Sequence, residues 1–491
     1  MIYTIFRNNI KVASVKPLSS SDLVQKSEES DYIELNFELS ENIDFQVGDF
    51  IYYPQTNSKY SLNFLPNIAN NAGKYEYTCV FQGELHNLEK VKCFLDTPKT
   101  GGGYYRDYNF ELTGSVKTLL TFIVDNLNRE FSGFIAGDYI ESTEQTISFN
   151  NFNVYQAIIA IQEAFSFTWR LEGKTLHFAS KTSDYAYIFQ VGRLRGFKSL
   201  ERIKNDEKKI TTVVYGYGNT ENLPSTYVGD GLYEKRLSFV GVDGLSKLEK
   251  NVDKYGIIED VQEFDIQPEF TGIVSAVDSD IRVFYASNVP FDINSYLIPN
   301  VIPTIKFISG NLSGTEFNVS YNTSTGAFTV DYVTEGEITY PNETIKIALN
   351  DQFKILNIGF PAEYITDAQT RLKAATQAYI DKYSNPLQYF EADIDDQYIQ
   401  SNNIELKLYD TIRVVAPIFN LDALYSIQEL TQNIANPHKY TIKFGDILPK
   451  NLITKLNIAT FNTSNNITNV SNSTVNNTEI QNIIGDENKW L

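Results

Sequence analysis

Strict alternation of apolar and polar side chains near the start of the chain predicts β structure. In residues 31–39, "DYIELNFEL", the apolar positions are Ile33, Leu35, Phe37 and Leu39. Successive residues of a strand point to opposite faces, so this pattern is typical of a strand with one face in a core. "FQVGDFIYYP" follows and predicts a turn at residues 48–49, then a second strand that ends at Pro54.

The same plan recurs near the other end of the sequence. In "NIELKLYDTIRVVAP" the alternating positions are Ile404, Leu406 and Leu408. Asp410 then marks a turn, and a strand continues to Pro417. "YSIQELTQNIANPHKYTIKFGD" predicts two more strands around a turn at residues 436–437. This recurrence predicts two related small β-barrels, one at each end of the chain.

Between these ends the apolar period becomes helical. "SVKTLLTFIVDNLN" carries apolar residues at Val116, Leu119, Leu120, Ile123 and Leu127, with Ser115 as the N-cap. A second helix, capped by Asn153, has its inner face at Val154, Ala157, Ile158, Ile161, Ala164 and Phe165. Phe167, Trp169 and Leu171 then alternate, and a turn at residues 172–173 leads to a strand with Leu176 and Phe178. These elements predict a compact α/β lobe.

Residues 210–217 return to a strand pattern, which we assign to the second barrel. "PTIKFISGNLSGTEFNVSYNTSTGAFTVDYV" predicts three strands separated by turns, as part of an inserted β unit. The longest predicted helix follows, with Pro361 in its first turn and residues 385–386 at its end. Its packed side is predicted at Ile365, Leu372, Ala375 and Tyr379.

The predicted fold class is therefore mainly β with an α+β lobe. The predicted units are a first barrel (1–103, ending at the glycines 101–103), the α/β lobe (104–204), the first part of a second barrel (205–231), an inserted β unit with the long helix (232–395), the second part of that barrel (396–450) and an extended C-terminal tail (451–491).

Composition supports this interpretation and excludes several classes of function. The chain has 491 residues, enough for three or more domains. It has 32 Tyr and 32 Phe against 2 Trp, which favours sheets. With 41 basic and 61 acidic residues the net charge is −20, a poor basis for gripping nucleic-acid phosphates. No run approaches the roughly 20 apolar residues of a membrane helix.

Export by a standard signal is not expected, because Arg7 and Lys11 interrupt the N-terminal apolar residues. The Asn-x-Ser/Thr sites at Asn462, Asn466, Asn469, Asn472 and Asn476 should then remain unglycosylated. Cys79 and Cys93 lie on either side of His86 in the sequence and would face each other if that segment were a hairpin. We interpret them instead as buried, reduced thiols.

No motif of catalysis is present. The histidines His86, His177 and His438 are isolated, and HExxH, paired CxxC and GxSxG are missing. We interpret His177 as structural. Gly216 and Gly218 form a GxG that leads to Pro224, whereas a dinucleotide-binding loop opens a helix. The sequence therefore predicts no catalytic, cofactor-binding or metal site.

Two charged stretches have a functional and a simpler interpretation. "EADIDD" suits a divalent ion by residue type, but alternation turns Glu391, Asp393 and Asp395 outward, which favours a solvated acidic strand face. Residues 193–209 are basic at Arg193, Arg195, Lys198, Arg202, Lys204, Lys208 and Lys209. Acidic residues dilute this stretch, which favours a solvated connector or a salt-bridged subunit contact over nucleic-acid binding.

The order of units and four stretches resemble the baseplate hub and tail-associated-lysin N-terminal family of tailed bacteriophages and contractile injection machines. "ISFNNFNVYQAIIAIQEAFSFTWRLEGKTLHF" is similar to the family's lobe, and "ITTVVYGYGNTENLP" to the strand that opens its second barrel. "YDTIRVVAP" and "YTIKFGD" are similar to its closing strands. The resemblance covers most of residues 1–450.

The resemblance implies a structural role in the tail tip or baseplate of a virion that assembles in the host cytoplasm. Three chains would form a ring in which two barrels per chain adapt a sixfold tail tube to a threefold spike or fibre, around the channel for DNA. The implied partners are the homotrimer itself, the distal tail and tube proteins, the tape-measure protein and a spike or fibre protein. Genomic DNA would pass without specific binding, and no cofactor, metal or catalytic residue is implied.

Two other functions stay open at this stage. One is a cell-wall-degrading tail lysin that uses acidic residues of the insertion; the other is a secreted carbohydrate-binding glycoprotein. The hub of a contractile injection system is a variant of the structural role. For the tail, the apolar residues Ile467, Val470, Val475, Ile480, Ile483 and Ile484 predict an ordered interchain element at residues 456–491, near the trimer axis. Trp490 and Leu491 would then contact the spike.

Overall fold

The computed structural model describes residues 2–71, 73–98, 103–142, 144–181, 187–204, 210–335 and 338–446, and the statements below concern these residues. Strands dominate it, and helices gather in a lobe and in one long insertion. The predicted fold class, mainly β with an α+β lobe, is confirmed. The predicted glycine hinge lies largely, and the predicted interchain tail wholly, outside the described residues.

The first barrel begins the chain. Its strands are β1 (Tyr3–Arg7), β2 (Ile10–Val15), β3 (Asp22–Lys26), β4 (Tyr32–Leu39), β5 (Phe50–Tyr53), β6 (Ser58–Leu62), β7 (Asn67–Asn71) and β8 (Lys74–Gln82). Ile33, Leu35 and Phe37 are fully buried, so the alternation read from residues 31–39 is confirmed. The chain after β2 returns to β4, where the Leu18 amide donates to the Asn36 carbonyl over 2.8 Å. This contact brings the ends of the curled sheet together.

The lobe follows. Its elements are α1 (Asn87–Lys90), β9 (Leu95–Pro98), β10 (Tyr104–Asp107), β11 (Asn109–Gly114), α2 (Val116–Glu130), β12 (Ile135–Tyr139), β13 (Gln145–Asn150), α3 (Val154–Phe165), β14 (Arg170–Glu172) and β15 (Thr175–Phe178). Both predicted N-caps are confirmed. The Ser115 hydroxyl accepts from the Thr118 amide, and Asn153 forms a reciprocal capping box with Gln156. Trp169 is 1% exposed in the lobe core.

After the lobe the chain makes two strands and then a long insertion. The elements are β16 (Tyr187–Val191), β17 (Gly196–Ile203), β18 (Val213–Tyr217), β19 (Lys247–Glu249), α4 (Val252–Tyr255), β20 (Glu259–Glu263), β21 (Thr271–Val277), β22 (Val283–Ala286), β23 (Thr304–Phe307), β24 (Glu316–Asn322), β25 (Ala327–Val330), β26 (Val333–Glu335), β27 (Ile338–Tyr340), β28 (Gln352–Leu356) and α5 (Ala362–Tyr383). β21, β22, β25, β24, β23 and β28 close into a six-stranded inserted barrel. The sequence predicted strands here, but not their closure.

The chain then completes the second barrel. The last elements are β29 (Tyr389–Ile394), α6 (Asp396–Ser401), β30 (Thr411–Ala416), β31 (Leu421–Asn433) and β32 (Tyr440–Gly445). Short 3₁₀ turns lie at Glu84–His86, Val242–Gly244, Ile293–Tyr296 and Pro417–Phe419. β16, β17, β29, β32, β31 and β30 pair in a closed ring around their own core.

The strand assignment of the second barrel needs correction. Residues 210–217 were predicted to open it, but β18 pairs with β19 and β20 in a separate sheet that packs against α5. The first three strands of the second barrel are instead β16, β17 and β29. The sequence analysis had placed β16 and β17 in the lobe and β29 in the insertion. Residues 404–408 bury Ile404 and Leu406 but form no strand. Alternation shows which face of a segment is buried and not which strand it pairs with.

The packed side of α5 also differs from the prediction. Its buried residues are Ala368, Leu372, Thr376 and Ile380, so of the predicted set only Leu372 is fully buried. Thr376 can be buried because its hydroxyl donates to the Leu372 carbonyl over 2.8 Å. Gly216 of β18 leaves the space that the Thr376 side chain fills. Pro361 is the N-cap, one position before the predicted first turn.

Candidate assembly surfaces

The two hub barrels have the same strand order. Around the wall of the first barrel the six principal strands run β2, β1, β5, β6, β8 and β4. Around the second they run β17, β16, β30, β31, β32 and β29. The six strands of each barrel can be numbered 1 to 6 in the order in which they occur along the chain. With this numbering, the order around the wall is 2, 1, 4, 5, 6, 3 in both barrels. One strand differs in direction, since β16 runs parallel to its neighbours whereas β1 runs antiparallel. The order indicates one architecture used twice, as the recurrence in the sequence predicted.

A backbone ladder joins the two barrels. β3 pairs antiparallel with residues 429–433 of β31, from Asp22 opposite Asn433 to Lys26 opposite Glu429. The Asn433 side-chain amide donates to the Ser21 carbonyl and to Asp22 Oδ1, over 3.1 and 2.9 Å. The same sheet therefore continues from one barrel into the other, and the pair forms one body.

Side chains beside this ladder strengthen the joint. The Tyr53 hydroxyl of the first barrel lies 2.6 Å from Gln432 Oε1 of the second. Glu429 is 9% exposed and lies 2.9 Å from the Lys443 ammonium and 3.8 Å from that of Lys26. A largely buried carboxylate with two cationic neighbours has its charge compensated where the barrels meet.

The turn between β3 and β4 holds the lobe in place. Glu28 sits there in the left-handed region, with φ at 61°. Its Oε1 accepts from Gln162 Nε2 over 2.7 Å and from the Trp169 amide over 3.3 Å. The Tyr155 hydroxyl donates to the Glu28 carbonyl over 3.2 Å. A single turn of the first barrel thus bonds to both α3 and the strand that follows it.

The strand edges of this body without a ladder partner among the described residues include those of β7 and β17, besides the outer edge of β2. β7 pairs only with β8, and its five residues are exposed. Phe64 and Leu65, just before it, are 65% and 72% exposed. β17 pairs along its length with β29, but meets β16 only at its first two residues. The edge of residues 199–203 is therefore open. Sequence analysis missed both edges, although the uncharged run "NIANN" of β7 was a signal.

The histidines and charged stretches that the sequence analysis considered lie in different parts of the structure, and His177 contacts charged side chains of the lobe. His177 of β15 lies 3.0 Å from Asp138 Oδ2 and from an Arg170 nitrogen. The hydrogen bond from Arg170 holds the pKa of Asp138 below its usual value. The described members of this network lie across the lobe sheet and include no Ser, Thr or Cys side chain. No group of three or more His, Cys, Asp or Glu in the described part of the chain is arranged to hold a metal ion.

Residues of the two charged stretches also make contacts within the fold. Ala392 and Ile394 of β29 point inward and Asp393 outward, as predicted. Asp395 caps α6 and also accepts from the Leu194 amide over 2.6 Å. In the basic stretch, Arg202 lies over the Phe419 ring of the same barrel. Lys208 and Lys209 fall outside the described residues.

The cysteines are both free and buried, but in different cores. Cys79 belongs to the first barrel and Cys93 to the lobe, so the hairpin arrangement is excluded. Burial raises the pKa of each thiol to about 12. No helix in the described ranges has the length and apolar character needed to cross a bilayer.

The GxG glycines are explained by packing. A Cβ at Gly218 would lie 2.4 Å from the Ile266 carbonyl oxygen and 2.9 Å from Leu237 Cβ. We expect Gly218→Ala to lower the free energy of unfolding by about 1–3 kcal/mol, because the Ile266 carbonyl oxygen cannot move aside without shifting the backbone around it. Urea denaturation followed by circular dichroism measures this. Gly229→Ala is the matched control, since its nearest atoms lie at 3.2 Å. An equal loss in both variants would contradict the packing explanation.

Comparison with known proteins gives structural neighbours only. No protein-family model and no curated protein matches the chain. A prophage tail protein of Listeria monocytogenes is similar at 10% identity, over 94% of this chain and 100% of that one, with a TM-score of 0.44. A tail protein of Neisseria meningitidis is 7% identical over 90% and 96%, with a TM-score of 0.44. The 43 kDa tail protein of prophage MuSo2 from Shewanella oneidensis is 8% identical over 90% and 97%, with a TM-score of 0.49.

These three neighbours are tail proteins. The similarity covers at least 90% of this chain and at least 96% of each neighbour. Identities of 10% or less with TM-scores below 0.5 say nothing about function.

Proposed function

We propose that this protein is a structural hub of a phage-type tail, in which three chains form a ring of six barrels. The observation that carries the proposal is the duplicated strand order in two barrels that one continuous sheet joins. A chain with two similar barrels side by side presents different surfaces at its two ends. Such a chain associates head to tail, and a threefold closed ring then has near-sixfold symmetry at the level of barrels.

The biological setting comes from the sequence resemblance to baseplate hubs. The stretch that carries the lobe resemblance folds as a capped helix, a buried tryptophan and a hairpin. The two closing stretches contain β30 and β32. A ring of this kind adapts a sixfold tube to a threefold spike or fibre. Distal tail, tube, tape-measure and spike proteins are the proposed partners, in the tail tip of a virion.

The net charge of −20 is compatible with a channel for DNA. A lumen that binds phosphates would retain the genome, whereas an acidic wall repels it. The proposed passage therefore involves no specific nucleic-acid site.

We expect the purified full chain to be a trimer, with a mass three times the 55.8 kDa of one chain. Native mass spectrometry and mass photometry at micromolar concentration measure this. Dilution into the nanomolar range provides the control, because a concentration-dependent ring dissociates to folded monomers. A folded monomer at every concentration would contradict the proposal.

Peptidoglycan zymography separates the structural role from that of a tail lysin. A hub without hydrolase activity leaves the gel uncleared at the position of the chain. A cleared band that survives purification would overturn the purely structural role.

A further inference from the structure

We infer that the open edge of β17 in one chain pairs with the open edge of β7 in the next chain, and that this ladder joins the subunits of the ring. The inference rests on the proposed trimer and names the surface that would build it. The proposed occupant of the β7 edge is a second copy of this chain. The ladder between β3 and β31 inside the chain provides the template for this pairing.

β7 occupies the place in the first barrel that the end of β31 occupies in the second. β31 is long: its first half pairs with β30 and its second half with β32. In the first barrel the corresponding strand is interrupted after β6. β6 pairs with β5, and the continuation β7 pairs with β8. Residues 67–71 thus correspond to residues 429–433, and each five-residue run ends where a turn leads into the next strand. The outer edge of 429–433 is covered by β3, whereas no described residue pairs with the outer edge of 67–71.

β17 occupies the place in the second barrel that β3 occupies in the first. β3 continues the chain after β2 and pairs with β4, the third principal strand. The end of β17 likewise pairs with β29, the third principal strand of its barrel. Residues 199–203 therefore correspond to Asp22–Lys26 of β3. The outer edge of β3 is used by β31, whereas that of residues 199–203 has no partner in the described part of the chain.

The chain therefore contains two strands of the β3 type, β3 and the end of β17. It also contains two of the β31 type, the end of β31 and β7. β3 and β31 pair with each other within the chain, whereas β7 belongs to the first barrel and β17 to the second. Copying the register of the internal ladder places Ser199 opposite Asn71, Glu201 opposite Ala69 and Ile203 opposite Asn67. Three internal and three intersubunit ladders would then close the ring.

The chemistry of the β7 edge favours a protein strand as its occupant. An exposed strand edge invites pairing, and natural proteins usually protect it with charges or proline. "NIANN" has neither, and the exposed Phe64 and Leu65 adjoin it. Strand addition would satisfy the open backbone groups and cover these apolar side chains together.

Disulfide trapping in the full-length protein tests the inference. Ala69→Cys with Glu201→Cys in the same chain puts thiols on directly opposite positions, about 4.5–5.5 Å apart between Cα atoms. That separation lies within the range a disulfide spans. After mild oxidation we expect a covalent species of three chains in a denaturing gel without reductant. Asn71→Cys with Ser199→Cys, two residues along the same ladder, should give the same species.

Two control variants show whether crosslinking depends on the proposed pairing of β7 with β17. Tyr52→Cys with Glu201→Cys pairs the same β17 thiol with another exposed site of the first barrel, and should leave single chains. Ala69→Cys alone should also leave single chains, and a dimer from it would mean that β7 pairs with itself and would overturn the inference. Native mass spectrometry of the unoxidised variants accompanies each gel. Trimers that neither cysteine pair locks would overturn the inference and leave the proposed hub standing. Monomers at every concentration would overturn both.

Discussion

Replacing Trp169 with Ala should lower the free energy of unfolding of the lobe by about 3–5 kcal/mol. The indole is 1% exposed and packs edge-on against Tyr155, with ring centroids 5.9 Å apart. Removing it leaves a large cavity, because α3 and the sheet around it are fixed by capping and by the bonds of Glu28. Alanine keeps the backbone amide of residue 169 that donates to Glu28, so the expected loss comes from packing and not from this hydrogen bond.

Chemical denaturation followed by far-ultraviolet circular dichroism measures the change. Trp169→Phe should cost less, because a ring still fills most of the space. Tyr104→Ala is the matched surface control and should remain within about 0.5 kcal/mol of the wild type, because Tyr104 is 64% exposed. A loss below about 1 kcal/mol for Trp169→Ala would mean that the indole does not support the core of the lobe.

The second large effect concerns the inserted barrel. Phe353→Ala should destabilise this barrel by about 3–5 kcal/mol, because Phe353 is fully buried among other rings. Its ring centroid lies 5.2 Å from that of Phe284 and 5.5 Å from that of Phe328. The inserted barrel has a core of its own, separate from the cores of both hub barrels. The substitution should therefore leave the trimer intact.

Two measurements on the same variant separate these effects. Limited proteolysis should show faster cutting within residues 271–356, and mass photometry should still show trimers. Leu349→Ala, at an exposed residue of the same unit, is the control and should change neither. If Phe353→Ala loses the trimer and Leu349→Ala keeps it, the inserted barrel supports the ring directly.

The sequence by itself determined the elements and much of their burial. Alternation in residues 31–39 identified β4, and the helical period with the caps Ser115 and Asn153 identified α2 and α3. The burial of Trp169 followed from its alternation with Phe167 and Leu171. The recurrence of the barrel pattern was also readable, because two copies of one architecture place apolar and turn residues in the same order. These are local properties, and a core imposes the same spacing wherever a strand or helix lies against it.

The tertiary structure alone decided how these elements pair. Nothing in residues 210–217 separates a strand of the hub barrel from one that packs on α5, because backbone donors and acceptors are alike in every strand. The burial of Thr376 depended on Gly216, which lies far away in the sequence. The candidate assembly surfaces belong to the same class. The ladder between β3 and β31 joins residues about 400 positions apart, and the edges of β7 and β17 can be identified only once the pairing of their neighbouring strands is known.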